Sequence, residues 1–144
     1  MPNINIICQG TLKEEFLRGA CREYEKRLSA FCRIGFFESR SDLPDALYEK
    51  VLQTKGKKIA LCVEGKEMPS EELAHTLDSY FNSGSGDVSF IIGGSDGLSE
   101  RVKALCDLRL SFSKMTFPHQ LMRVILLEQI YRAFTIIKGK TYHK

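Results

Sequence analysis

Ser111-Phe112-Ser113-Lys114-Met115-Thr116-Phe117-Pro118-His119-Gln120-Leu121-Met122-Arg123 decides how the rest of the chain is read. It opens with small polar residues, passes through Met115, Thr116 and Phe117, meets Pro118 and becomes a long apolar run. Proline cannot donate to a strand ladder, and its fixed φ suits a first helical turn. The stretch therefore predicts a loop feeding a helix. Its mixture of thioether, aromatic, hydroxyl and cationic groups is rich chemistry for a connection. Two other features bear on it: the glycine turn Gly93-Gly94-Ser95-Asp96-Gly97 and the basic tail at 138–144.

Downstream, the apolar run predicts a helix over 120–138, closed by Gly139 as a left-handed cap. Leu121, Met122, Val124, Ile125, Leu126, Leu127, Ile130, Tyr131, Ala133, Phe134, Ile136 and Ile137 leave it apolar nearly all round. A surface helix of a monomer shows a polar face. A second subunit packed on this helix is the simplest expectation.

Upstream, strands and helices alternate. Strands are expected at 3–9, 32–38, 59–63, 88–92 and 108–112. The run at 59–63 is continuously apolar, as in a strand covered on both faces. Helices are expected at 12–31, where Leu12, Phe16, Ala20, Tyr24 and Leu28 recur every fourth residue, and at 45–54. A third runs from Ser70, read as its cap, to about Asn82, and a fourth follows Ser99 to about Cys106. This order predicts one α/β domain over residues 1–144, a mostly parallel sheet with helices on both faces.

The bulk properties agree with a globular protein. The chain has 144 residues, 43% hydrophobic and 27% charged. It shows no apolar run long enough for a membrane span and no basic leader, which predicts a cytoplasmic protein. The five cysteines form no Cys-x-x-Cys pair and no metal-ligand spacing with histidine, so buried reduced thiols and no metal are expected. Charge is uneven. Residues 1–100 hold 12 Lys/Arg against 16 Asp/Glu, a net −4; residues 101–144 hold 9 against 2, a net +7. A basic surface beside the opening stretch points to an anionic partner such as nucleic acid.

Residues 91–99 read as a strand, a glycine turn and a helix start. Ligands of open α/β sheets bind at such strand ends. The turn matches neither the dinucleotide fingerprint nor a P-loop. A Cβ at Gly93 or Gly94 is expected to intrude where the backbone approaches a ligand. His119 is either a base or a polar residue at a helix start. Glu128 and Arg132 stand at i, i+4, the spacing of an ordinary ion pair. Tyr142 and His143 lie in a short tail expected to be mobile.

Taken together, Gly93-Gly94-Ser95-Asp96-Gly97-Leu98, the run from Leu110 to Gln120, Met122-Arg123-Val124, the segment 128–134 and the terminal Tyr142-His143-Lys144 closely resemble the RlmH family. These are SPOUT-superfamily enzymes that methylate N3 of a pseudouridine in large-subunit ribosomal RNA. The resemblance covers the whole chain and is most specific in its last third. It implies a C-terminal trefoil knot, a homodimer and S-adenosylmethionine as cofactor. The implied cofactor residues are Leu61, Gly93, Gly94, Phe112, Ser113, Lys114, Met115, Thr116 and Phe117. Arg132, Tyr142, His143 and His119 are the implied catalytic candidates, the tail of one subunit reaching the other's cofactor. Arg123, Lys138, Lys140 and Lys144 are expected to face RNA. A sister enzyme acting on tRNA, or a non-catalytic ribosome-binding factor, are the alternative readings.

Overall fold

The computed structural model describes residues 1–40 and 43–144. Five parallel strands, β1 (Asn3–Gln9), β2 (Arg33–Ser39), β3 (Lys57–Glu67), β4 (Val88–Ile92) and β5 (Leu108–Ser111), form one sheet in the order β2-β1-β4-β3-β5. The helices are α1 (Glu15–Leu28), α2 (Pro44–Gln53), α3 (Ser70–Phe81), α4 (Glu100–Lys103) and α5 (His119–Ile137).

Alternation along the strands divides the core. Ile4, Ile6 and Cys8 of β1, with Val88, Phe90 and Ile92 of β4, face the layer of α1, α3 and α5. Ile7 and Ile91 face α2 and α4, meeting Leu47, Val51 and Val102. Every residue of β4, the central strand, is buried. Successive side chains point to opposite faces, so a strand covered on both sides is largely apolar, and its one polar side chain, Ser89, accepts from Asn5 Nδ2 at 3.3 Å.

Several expectations shift on contact with the packing. β3 runs 11 residues rather than five, because it breaks register after Leu61 and pairs with β5 again at Lys66. Ser70 does not cap α3: Pro69 holds the N-cap position, and the Ser70 hydroxyl donates to Gln129 Oε1 on α5 at 2.8 Å. Pro118 likewise sits at the N-cap of α5, one residue before its first turn. Ser99 does cap α4, accepting from the Val102 N–H, but the helix is only four residues long. Gly139 ends α5 with φ +68°.

The all-round apolar character of α5 is largely accounted for within one chain. It lies on the sheet between α1 and α3. Leu126, Leu127, Ile130, Ala133 and Phe134 are buried, and Met122, Val124, Tyr131, Ile136 and Ile137 pack against the same core. Only Leu121 and Ile125 of its apolar side chains pack against neither core. Cys8, Cys21 and Cys32 are buried reduced thiols, and Cys62 and Cys106 half-buried ones. Burial pushes Cys8 up to about 12, which keeps it an inert thiol.

Candidate active site

Three parallel strands end beside one another, and their loops enclose a cavity. After Leu61, β3 bulges outward through 62–65. After Ile92, β4 enters the glycine turn, which closes on itself as the Gly97 N–H donates to the Gly94 carbonyl at 2.9 Å. After Ser111, the loop is braced by its own hydroxyls. Ser111 Oγ donates to the Ser113 carbonyl at 2.9 Å, and the Met115 N–H donates to Ser113 Oγ at 3.0 Å. The cavity measures about 650 Å³, within the roughly 300–1,000 Å³ of small-molecule sites.

Eight of the nine expected cofactor residues line it: Leu61, Gly93, Gly94, Phe112, Ser113, Met115, Thr116 and Phe117. Lys114 does not. His119, at the start of α5, completes one wall. The two glycines differ from expectation. A Cβ on Gly93 would lie 2.5 Å from the Gly97 carbonyl carbon, so Gly93 is required by its own turn. A Cβ on Gly94 would meet the Gln9 side chain at 3.6 Å, an ordinary contact.

Sequence reasoning missed Glu64 and Lys103, which also line the cavity. The Lys103 side chain is 10% exposed, and its amine pairs with Glu64 and with Glu100. The hydrogen bond from Lys103 holds the Glu64 carboxyl below the usual carboxylate range. Thirty-nine positions separate the partners, and no local pattern links them.

Arg123 is not at a surface that could meet RNA. Its side chain is 4% exposed, pairs with Glu38 and donates to the Gly10 carbonyl at 2.7 Å. It thus ties α5 to the ends of β1 and β2. A guanidinium carries five donors and no acceptor, and such a fork suits a carboxylate and a carbonyl together.

Arg132, Tyr142 and His143 do come together, around Glu128. Arg132 pairs with Glu128 at 2.8 Å, and the Tyr142 hydroxyl donates to the same carboxylate at 2.8 Å. The Tyr142 ring meets Tyr131 edge-on at 4.9 Å. Arg132 Nη1 is 3.1 Å from His143 Nδ1, and His143 Nε2 pairs with Glu71. Arginine can only donate, so Nδ1 accepts and the ring proton sits on Nε2, toward Glu71. The tail is therefore docked on α5 and the first turn of α3, contrary to the expected mobility. Burial, then the hydrogen bond to Glu128, pushes the Tyr142 hydroxyl up to about 12. Lys138, Lys140 and Lys144 stay exposed. This cluster lies apart from the cavity of its own chain: at 1.5 Å per residue, Arg132 is about 15 Å along α5 from Met122, a cavity-lining residue. The structure thus joins three catalytic candidates to each other and the fourth to the cavity.

The chain matches, over residues 2–143, the family described as "Predicted SPOUT methyltransferase". It belongs to the SPOUT methyltransferase family. Among its relatives, the "Ribosomal RNA large subunit methyltransferase H" proteins of Bacillus pumilus and Clostridium novyi are 46% and 47% identical, over 99% of either chain in each case. The protein of that name from Clostridioides difficile is 44% identical over the same share. Solved structures share the fold at low identity. A probable methylase family protein from Haemophilus influenzae superposes with a TM-score of 0.65 at 12% identity, covering 99% of this chain and 71% of that one. Lpg2936 from Legionella pneumophila, solved with the bound cofactor SAM, gives 0.51 at 13%, covering 92% and 66%. In this SPOUT chain no group of three or more His, Cys, Asp or Glu among the described residues is placed to hold a metal ion. No described helix is long and apolar enough to cross a membrane.

Proposed function

We propose that the chain is a cytoplasmic methyltransferase that uses S-adenosylmethionine to methylate N3 of a pseudouridine in large-subunit ribosomal RNA. The observation that carries this reading is the cavity. Leu61, the glycine turn and the 112–117 loop come from three strand ends, yet all border one space of about 650 Å³. The names of the full-length relatives support the substrate, and the cofactor bound to Lpg2936 supports the cofactor.

The residues fit such a cofactor. Backbone at Gly93 and Gly94, the rings of Phe112 and Phe117, and Met115 offer close approach and apolar cover. When bound, the sulfonium supplies an electrophilic methyl group. What remains for the protein is positioning and proton removal. A methyl acceptor must sit in line behind the methyl, and holding it there can supply much of the acceleration. A uracil-type N3–H must also lose its proton. Tyr142, His143 and Arg132 form a linked set able to bind the base and move that proton.

Arg132, where Tyr142 and His143 converge, lies about 15 Å along α5 from Met122 at the cavity wall, and a second copy would bring such a cluster to the cavity. We assign the dimer contact to the α5 face carrying Leu121 and Ile125. A C-terminal knot, a rare departure from unknotted chain paths, belongs to the same reading. Ile125→Glu tests the contact: sedimentation should shift from dimer toward monomer with the circular dichroism spectrum kept. Ile130→Glu is unsuitable, because Ile130 is fully buried in its own chain. The reaction itself is tested by mass spectrometry of ribosomal RNA nucleosides from a strain lacking the gene. Methylated pseudouridine should vanish and return on add-back; an unchanged nucleoside profile would sink the proposal.

A further inference from the structure

The candidate cofactor cavity carries a buried cation that the proposed chemistry does not use. Lys103 of α4 stands at its wall, and its amine pairs with Glu64 and, at 3.2 Å, with Glu100, which Arg109 meets in turn at 3.2 Å. An ordinary surface ion pair contributes little and requires no buried member. Burying an ammonium is costly, and an apolar side chain would fill the same space more cheaply. What the buried cation secures is its partner. The Glu64 side chain is 57% exposed and borders the cavity.

The backbone that carries Glu64 is fixed as well. It lies in the bulge between Leu61 and Lys66, where β3 leaves β5 and regains it. A Cβ on the next residue, Gly65, would come within 2.8 Å of the Arg109 and Leu110 backbone, so the bulge rests directly on β5. On its other side β3 pairs with β4 through Lys57–Ala60, and β4 runs into the glycine turn. Glu64 therefore stands just beyond the end of the strand next to that turn. In dinucleotide-binding folds an acid near a glycine turn takes up a ribose hydroxyl. There the acid follows the turn in sequence. Here it precedes the turn, so the sequence pattern did not display the juxtaposition.

We infer that Glu64 accepts hydrogen bonds from the ribose diol of S-adenosylmethionine, and that Lys103 is a positioning residue that holds this carboxylate in place. The inference rests on the proposed cofactor and adds which of its groups the β3 bulge meets. A carboxylate offers about four lone-pair sites and Lys103 occupies one, so two hydroxyls can still be accepted. The hydrogen bond from Lys103 keeps the carboxyl below the usual range, so it only accepts at neutral pH. Its charge is already compensated by an ammonium. That suits it to neutral hydroxyl donors better than to the cofactor's own ammonium group.

The test measures binding of S-adenosylmethionine and S-adenosylhomocysteine by calorimetry, together with the 2′-deoxy, 3′-deoxy and desamino analogues of S-adenosylhomocysteine. The proteins are wild type, Glu64→Ala, Lys103→Ala, Lys103→Arg and the Glu64→Ala/Lys103→Ala double variant, with Glu100→Gln as a control that does not line the cavity. In wild type, losing a ribose hydroxyl should weaken binding by about 10-fold or more, as for a hydrogen bond to a charged group. Glu64→Ala should weaken S-adenosylhomocysteine to a similar extent, and its deoxy analogues should then bind within about twofold of it. Lys103→Ala should weaken binding only while Glu64 is present, Lys103→Arg should restore it, and Glu100→Gln should leave it unchanged. Deoxy penalties of wild-type size in Glu64→Ala would overturn the inference. So would a Glu64→Ala protein that loses its sensitivity to the desamino analogue instead, since the carboxylate would then serve the ammonium. A Lys103→Ala loss that persists in the double variant would make the lysine structural and overturn its positioning role. Wild type separates the two levels. If it binds S-adenosylmethionine while the deoxy penalties ignore Glu64, the Glu64 assignment alone falls. If it binds neither cofactor nor product, the proposed function falls and takes the assignment with it.

Discussion

Arg123 and Arg132 sit on the same helix, and their surroundings are opposite. Arg123 is enclosed, with Glu38 on one side and the Gly10 carbonyl on the other. The Arg132 side chain is 25% exposed and shares Glu128 with Tyr142, while its second nitrogen reaches His143. One arginine closes the fold where β1 and β2 end. The other holds groups that can exchange protons. Nine residues apart, the two stand two and a half turns along α5 on opposite faces; residue type alone does not separate these roles, and the number of saturated, desolvated partners does.

Removing each guanidinium should expose that difference. Arg123→Ala leaves Glu38 and Gly10 without their partner at a largely desolvated spot. Breaking such a pair costs about 3 kcal/mol, at the low end because Glu38 is partly exposed. Urea unfolding should show this as a lower midpoint with an unchanged slope. Arg132→Ala should cost less than about 1 kcal/mol, as half-exposed helical ion pairs do. Equal losses at the two sites would erase the contrast.

Activity should reverse the order. If the Glu128 cluster handles the substrate proton, Arg132→Ala and Tyr142→Phe should each lower kcat by about 100-fold or more. Deleting residues 141–144 should do the same while calorimetry still shows cofactor binding. A truncated chain with wild-type kcat would return the tail to a purely structural role.

A smaller effect concerns pH. The Tyr142 hydroxyl ordinarily titrates near 10 and is raised to about 12 by burial and by Glu128. Its folded value is the higher one. Its contribution to tail docking is therefore fully present below pH 10 and is lost as pH rises through about 12. Amide exchange of the tail should accelerate over that window in wild type, and Tyr142→Phe should remove the step. Smallest of all, Gly94→Ala should alter cofactor affinity by less than about threefold, since its Cβ would rest against Gln9 at 3.6 Å.

Much of the fold was legible because it follows from periodicity. The apolar positions of β1 and β4 and the continuous apolar run at 59–63 read as strands, and β4 is buried on both faces. The glycine turn was legible as a candidate site because it follows a strand end, whereas the 112–117 loop entered it through the family resemblance. Pairings across the fold were not. Arg123 and Glu38 are 85 positions apart and Lys103 and Glu64 are 39 apart, and a buried cation reads in sequence like a surface one. The extra length of β3 was hidden because Glu64-Gly65-Lys66 has loop composition, yet Gly65 lies against the backbone of β5, where a Cβ would come within 2.8 Å of Arg109. The tail was misread because its anchors, Tyr131, Glu128 and Glu71, lie outside its own segment.

The strand order carries a consequence in time. β5 is the last strand made, yet it takes the edge beside β3, leaving β4 inside. A chain emerging from synthesis can pair β1, β2, β3 and β4 before β5 exists. The wall formed by residues 110–122 must wait for nearly the whole polypeptide. Pairing β5 with β3 closes a long loop before any contact rewards it, and such non-local parallel pairing is slow. Ligand affinity should therefore be the last property gained during refolding, trailing the helical signal, so that delayed cofactor capture becomes a clock for the final docking of the edge.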